Sequence, residues 1–268
     1  MRIQYASDLH LEFAENSAWL ENHPLEAAGD VLVLAGDIGI FGSDDYACYV
    51  EHPFWDRFAA QYRQVVVIPG NHEFYGYVDN FKVFHKGRDL GDMVDDWRLD
   101  IRPNVRCVYN AVIPLADDID LIATPLWSRI SPHRAAKTEG SVADFYRIKA
   151  GGKRLDAARF NREHERCLAF LQGAVAASRA KHIIVATHHV PSHTLTAPEY
   201  LGSSIGGAFT VELFDYIEDS PIAYWIYGHS HRNIDDVIGK TRCVANQFGY
   251  IGYGEHLTFD PARAIEIG

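Results

Sequence analysis

Short runs of apolar, largely β-branched residues punctuate the chain at 3–5, 31–34, 65–68, 105–108, 121–123, 183–186 and 223–227. Such runs predict buried strands. Between several of them the pattern becomes helical, over 54–62, over a long stretch at 157–180 with few breakers, and over 211–218. Strands alternating with helices predict an α/β sheet. Toward the C-terminus the runs at 242–245, 257–259 and 264–267 are joined by Gly-rich turns, which predicts antiparallel strands added to that sheet. The segments 74–103 and 128–156 are richer in charge and glycine and predict excursions of loops and surface helices. No Pro/Ser linker, low-complexity tract or repeat divides the chain. A length of 268 residues is within what one hydrophobic core can serve, so one domain over 1–268 is expected.

The residues just past the strands carry the chemistry. The run 3–5 leads into Ala6-Ser7-Asp8-Leu9-His10, 31–34 into Ala35-Gly36-Asp37, and 65–68 into Pro69-Gly70-Asn71-His72-Glu73. Later, 183–186 leads into Thr187-His188-His189, and 223–227 into Gly228-His229-Ser230-His231. Five strand ends each present a ligand-type side chain, and in α/β sheets the carboxyl ends of strands form the crevice where such groups converge. The i, i+2 spacing of Asp8 with His10, and of His229 with His231, places each pair on one face of an extended segment. Glycine ahead of Asp37, Asn71 and His229 allows a sharp turn at the strand end.

Metal-assisted phosphoryl transfer calls for such a set, because two cations about 3.5–4 Å apart can clamp the attacking and leaving oxygens. Imidazole and carboxylate together suit Mn, Fe or Zn, with Mg a further option, and a carboxylate has two oxygens with which to bridge a pair. An Asn carbonyl adds a ligand without adding charge.

In Asp8-x-His10, Gly36-Asp37, Gly70-Asn71-His72-Glu73, His188-His189 and Gly228-His229-x-His231 the chain resembles the calcineurin-like metallophosphoesterases, with all five motifs in family order. The resemblance implies a four-layer sandwich, two mixed β-sheets flanked by helices, with the metal site at the C-terminal ends of the strands. It implies Asp8, His10, Asp37 and His231 around one ion, and Asp37, Asn71, His188 and His229 around the other, with Asp37 bridging. It further implies that a metal-bound hydroxide attacks phosphorus in line while His72 protonates the leaving oxygen. Two departures narrow the subclass. Ser/Thr protein phosphatases of the superfamily carry Asp-Arg-Gly shortly after the second motif, where this chain reads Asp37-Ile38-Gly39-Ile40-Phe41-Gly42. The fourth motif, His188-His189-Val190-Pro191, leaves two candidate histidines for one ligand position.

Other residues have weaker claims. His189 and His193 come directly after the fourth motif begins and are candidates for lining a substrate pocket, with support of the site as the alternative. The stretch 202–207 is Gly- and Ser-rich and predicts a flexible turn more readily than a phosphate-binding nest. Arg129 and Arg147 have the chemistry to grip a phosphate, although exposed arginines are common. Tyr75, Tyr77 and Trp127 adjoin the motif loops, where packing is the default. The remaining histidines, His23, His52, His85, His133, His164, His182 and His256, are expected on the surface.

Charge and composition sharpen the choice of substrate. The formal net charge is −11 and no run of five or six basic residues occurs. An acidic surface repels polyanions, so a small phosphate ester, mono- or diester, is expected and long nucleic acid is disfavoured. That places a nuclease of the same superfamily second. A non-catalytic scaffold ranks last, since every ligand position is filled. Cys48, Cys107, Cys167 and Cys243 show no C-x-x-C spacing and are expected as buried reduced thiols. With no secretion-signal pattern and no apolar run near 18 residues, the expectation is a cytoplasmic protein without membrane contact.

Overall fold

The structure, a computed structural model, describes residues 1–42, 46–79, 83–85 and 87–268, and for 77–79 and 83–85 the backbone alone. The side chains of Tyr77 and His85 therefore lie outside the described residues. Two six-stranded mixed sheets form the centre. In chain order their strands are β1 (Arg2–Ala6), β2 (Val31–Ala35), β3 (Gln64–Ile68), β4 (Trp97–Arg102), β5 (Val105–Tyr109), β6 (Ala111–Ala116), β7 (Ile119–Ala123), β8 (His182–Ala186), β9 (Ile222–Tyr227), β10 (Asp236–Ile238), β11 (Thr241–Ala245) and β12 (Ala264–Glu266). The first sheet runs β12-β1-β2-β3-β5-β4 and the second β10-β11-β9-β8-β7-β6. Parallel strands occupy the middle of each, and antiparallel strands close both edges.

Continuous apolar strands are what two covered faces require. In β2, Val31 and Val33 point between the sheets and meet Ile3, Tyr5, Leu121, Ala123 and Ile184. Leu32 and Leu34 point the other way, into a layer containing Trp55, Phe58 and Tyr62. The outer face of the second sheet is covered by the helix Ala157–Ala177, through Leu171 and Val175, and by Phe214–Asp219 through Ile217. Asp156 caps the long helix, its carboxylate accepting the Arg159 N–H at 2.8 Å, and the buried Phe160, His164, Cys167, Leu171 and Val175 recur at three- and four-residue intervals.

Several expectations need correction. The run 257–259 is not a strand: Gly254 turns left-handed at φ 71° and the chain continues as the 3-10 helix Glu255–Thr258. β11 lies between β9 and the short β10, parallel to the first and antiparallel to the second. Within 74–103, β4 belongs to the first sheet as an edge strand whose Arg98, Asp100 and Arg102 alternate with half-buried or buried Trp97, Leu99 and Ile101. The excursion 128–156 is not merely superficial, since Ile130, Val142, Phe145 and Ile148 join the core. His164 is buried, and its Nδ1–H donates to the Leu126 carbonyl at 3.1 Å. Cys48 is exposed, while the other three free cysteines are buried.

Candidate metal centre

Parallel strands end together, and so do the motifs. Past their last residues, β1 leads to Asp8 and His10, β2 to Asp37, β3 to Asn71 and His72, β8 to His188, and β9 to His229 and His231. The paired residues do not lie on extended segments. Asp8, His10, Asp37, His229 and His231 all have left-handed backbones, with φ of 57°, 49°, 54°, 74° and 50°. A residue with a Cβ pays on the order of 1–3 kcal/mol for such a backbone, and this strain concentrates at functional sites. Cross-loop hydrogen bonds hold it: Asp8 N donates to Gly36 O, and His10 N to Asp37 O, each at 2.9 Å. The His229 N–H donates to Asp8 Oδ1 at 3.0 Å. Gly70 is required by space, because a Cβ there would sit 2.2 Å from Asp37 Oδ1 and 2.6 Å from His188 Nε2.

Four histidines share one arrangement. His10 Nδ1–H donates to Glu12 Oε1 at 3.2 Å, His188 Nδ1–H to the Ala35 carbonyl at 2.9 Å, and His231 Nδ1–H to Glu255 Oε2 at 2.7 Å. His229 does the same through its other nitrogen, Nε2–H donating to the Ala208 carbonyl at 3.3 Å. In the neutral ring each inner nitrogen is left with a lone pair aimed inward, which is how metal-binding imidazoles are oriented. Those inner nitrogens meet in pairs, His10 Nε2 with His231 Nε2 at 3.0 Å and His229 Nδ1 with His188 Nε2 at 3.1 Å.

Two groups of ligand atoms result, Asp8 with His10 and His231, and Asp37 with His188 and His229, the atoms of each lying within 4.8 Å of one another. Asn71 joins the second, its Oδ1 3.0 Å from His188 Nε2. Asp37 stands between them, with Oδ1 3.4 Å from His188 Nε2 and Oδ2 3.9 Å from His10 Nε2. A third, overlapping group is His10, Asp37 and His72.

The electrostatics call for positive charge at this point. Burial pushes Asp37 upward, but the His188 and His72 charges outweigh it and hold the carboxyl well below its ordinary range. Burial disfavours protonation of His188 and His231, yet Asp37 raises the first to about 9, and Asp8 with Glu255 raises the second to about 10. Burial and the His188 charge lower His229 to about 3. Protons here occupy positions that cations would take, so the donor set fits metal ions. Ligand nitrogens must be deprotonated to coordinate. Metal binding at pH 7 is therefore expected to release roughly two protons, from His188 and His231, and to weaken as pH falls. Calorimetry in buffers of different ionisation enthalpy measures that number, and a value near zero would contradict it.

Three carboxylates to which the motif reading gave no role organise the centre, Glu73 and Asp144 buried and Glu12 partly so. Glu12 Oε1 also accepts the His72 Nδ1–H at 2.7 Å, and the two histidines draw the Glu12 carboxyl down to about 2 against its burial. Glu73 accepts from the backbone N–H of Gly70, Asp37 and Ile38 at 2.6, 3.0 and 2.8 Å, pinning two motif loops together. Asp144 comes from the 128–156 excursion and accepts from Asn71 Nδ2 at 2.8 Å and from the Tyr75 hydroxyl at 2.7 Å, fixing the Asn71 amide with its oxygen inward. Glu12 repeats the two-residue spacing of its motif, and Glu73 lies inside one. Asp144 has no local signal.

His188, not His189, faces Asp37 and Asn71. His189 is fully buried between Trp127 and His229, with ring centres 5.1 and 4.2 Å away, and presents no surface. His193 is exposed, its N–H donating to Glu212. Trp127 is buried, and Tyr75 stacks under His72 at 4.1 Å. Arg147 lies 5.5 Å from the Tyr75 ring, and Arg129 is exposed. The 202–207 turn leads into Gly206–Ala208, whose last carbonyl holds His229.

Two mixed sheets with carboxylate, amide and imidazole donors at their strand ends define a metal-dependent phosphoesterase class of fold and site. The chain belongs to the calcineurin-like phosphoesterase family, which it matches over residues 1–233. It is 28% identical to an uncharacterized protein of Acanthamoeba polyphaga mimivirus over 298 residues, covering all of this chain and 97% of that one. Among solved structures it is similar to the phosphopantetheinyl hydrolase of Mycobacterium tuberculosis, with TM-score 0.62, 14% identity, and coverage of 92% and 89% of the two chains. A putative 5'-nucleotidase of Staphylococcus aureus matches with TM-score 0.44 and 17% identity, over 91% of this chain and 48% of that one. Among the described residues, no helix is long and apolar enough to cross a membrane.

Proposed function

We propose that the chain hydrolyses small phosphate mono- or diesters with two metal ions, Asp8, His10, Asp37 and His231 holding one and Asp37, Asn71, His188 and His229 the other. The observation that carries this reading is the common orientation of the four histidines around Asp8 and Asp37, each with its outer N–H tied down and its inner nitrogen turned toward the carboxylates. Bound ions would supply Lewis-acid polarisation of the phosphoryl oxygens and a nucleophile at neutral pH. Asp37 and Asp8 set the charge that retains them. His72 holds a proton at Nε2, on the side facing Asp37 Oδ2 at 4.0 Å, and delivers it to the leaving oxygen. The net charge of −11 supports small esters over long nucleic acid as substrates. Anomalous scattering from Mn-loaded crystals, together with a hydrolysis screen over mono-, di- and pyrophosphate esters, tests the assignment. Two ions on these residues and ester cleavage are expected, and ions elsewhere would refute it.

Glu12 positions His72 in this scheme. Its carboxylate can only accept, so it keeps one proton on Nδ1 of His72, and the second proton of the imidazolium, the one to be delivered, sits on Nε2 facing the reaction. Glu12→Gln is expected to lower turnover of alkyl esters by about 10–100-fold, the usual cost of losing such a partner. Glu12→Asp should restore part of it, and equal rates for all three proteins would exclude the role.

A further inference from the structure

Large apolar side chains exposed singly are ordinary on a protein surface, but those gathered at a reactive centre are informative. Tyr250 covers the centre. Its ring centre lies 4.7 Å from that of His10 and 4.6 Å from that of His231, and its hydroxyl is 3.4 Å from His72 Nε2. It therefore stands on the side of His72 that faces the reaction, while Glu12 holds the opposite nitrogen. Two more rings extend outward from it. Phe13 meets Tyr250 edge-on at 5.4 Å and is 43% exposed; Tyr253 lies 6.1 Å from Tyr250 and is 82% exposed.

The rim is built rather than loose. Glu255 Oε2 accepts the Tyr250 N–H at 2.8 Å while accepting the His231 Nδ1–H at 2.7 Å, so one carboxylate ties the loop bearing both tyrosines to a ligand histidine. Phe13 sits immediately before the helix Ala14–Asn22, whose buried Asn16 amide donates to the Leu9 and Gly249 carbonyls, each at 2.9 Å. Thus the segment after the first motif and the segment after β11 are locked together beside the centre.

We propose that Phe13, Tyr250 and Tyr253 form a subsite for a planar aromatic ring carried by the leaving group of the phosphate ester. This rests on the phosphoesterase reading above and names a substrate class for it. A leaving oxygen within reach of His72 Nε2 lies beside Tyr250, and the group attached to it extends over the two exposed rings. Rings favour offset or edge-to-face partners, so a flat aromatic group gains more there than an alkyl group of equal size. An aryl ester and a nucleoside monophosphate present this same chemistry.

The test is equilibrium binding of non-hydrolysable phosphonates to the Mn-loaded protein by calorimetry. Phenylphosphonate is expected to bind about tenfold more tightly than methylphosphonate, and more tightly than cyclohexylphosphonate. Tyr253→Ala and Phe13→Leu should each shrink the phenyl-to-methyl ratio several-fold; the first removes an exposed ring, and the second keeps an apolar side chain ahead of the helix. A nucleoside 5'-phosphonate binding more tightly than phenylphosphonate would assign the ring to a nucleobase, and the reverse order to a simple aryl group; both support the subsite. Equal affinity for phenyl- and cyclohexylphosphonate, or a ratio unchanged in both variants, would overturn it while leaving the phosphoesterase reading standing. Failure of every phosphonate to bind would refute that reading and the subsite with it.

Discussion

Asp37→Ala should empty both cation positions and lower phosphoester turnover by on the order of 10⁴-fold or more, since catalysed accelerations typically exceed about 10⁶. Its two oxygens face different histidines, Oδ1 toward His188 and Oδ2 toward His10, so losing the side chain removes a donor from each group at once. Asn71→Ala should differ, because the amide oxygen faces only His188 and its loss weakens one position. Asp37 Oδ1 also accepts the His72 N–H at 2.8 Å, so the alanine variant leaves a buried donor unpaired. Asp37→Asn, which keeps an oxygen and the shape but not the charge, separates metal loss from misfolding. Metal content by elemental analysis, beside circular dichroism, reads the outcome. Two ions retained in a folded Asp37→Asn or Asp37→Ala protein would refute the bridge.

His72→Ala should retain both ions and still lose about 10²–10⁴-fold in rate on an alkyl ester, the usual contribution of general-acid catalysis. On a p-nitrophenyl ester the loss should be far smaller, because that leaving group departs without a proton. The contrast matters here because His72 also lies in the overlapping group with His10 and Asp37. A ligand role predicts loss of metal and equal damage to both substrates; an acid role predicts unequal damage with metals intact. Rates must be measured with metal-saturated enzyme under conditions where chemistry limits turnover. With metals saturating, Glu12→Gln should show the same inequality in weaker form, since it loosens the orientation of the His72 ring; its second contact, with His10, makes metal content the control.

The middle of each sheet was legible because burial on both faces leaves no alternative to continuous apolar sequence. β1, β2, β3, β8 and β9 all appear where the runs predict them. The edge strand β12 was also legible, as the antiparallel strand expected at 264–267, but the edge strands β4 and β6 were not, because one face and one side of them meet water. β4 reads as alternating charge and β6 carries Pro114, patterns that a loop shares. The run at 257–259 misled for a related reason: its apolar residues suggest burial, yet Leu257 is 79% exposed on a 3-10 helix.

The seven ligand candidates were visible because the chemistry dictates residue type, and strand ends dictate place. Their conformation was not, since a left-handed backbone at five non-glycine residues is stable only when neighbouring loops bond across to it. The choice between His188 and His189 likewise needed the fold, which turns one ring toward Asp37 and packs the other against Trp127. So did the partners that orient the site. Asp144 lies 73 positions from Asn71, and Glu12 lies 60 from His72. Sequence alone determined which groups the protein has for holding cations and which strands present them, because local pattern and residue chemistry suffice for that. The tertiary structure decided which nitrogen of each ring faces inward, which carboxylate stands between the two groups and which aromatic rings cover the centre, because those depend on contacts between segments that no local pattern connects.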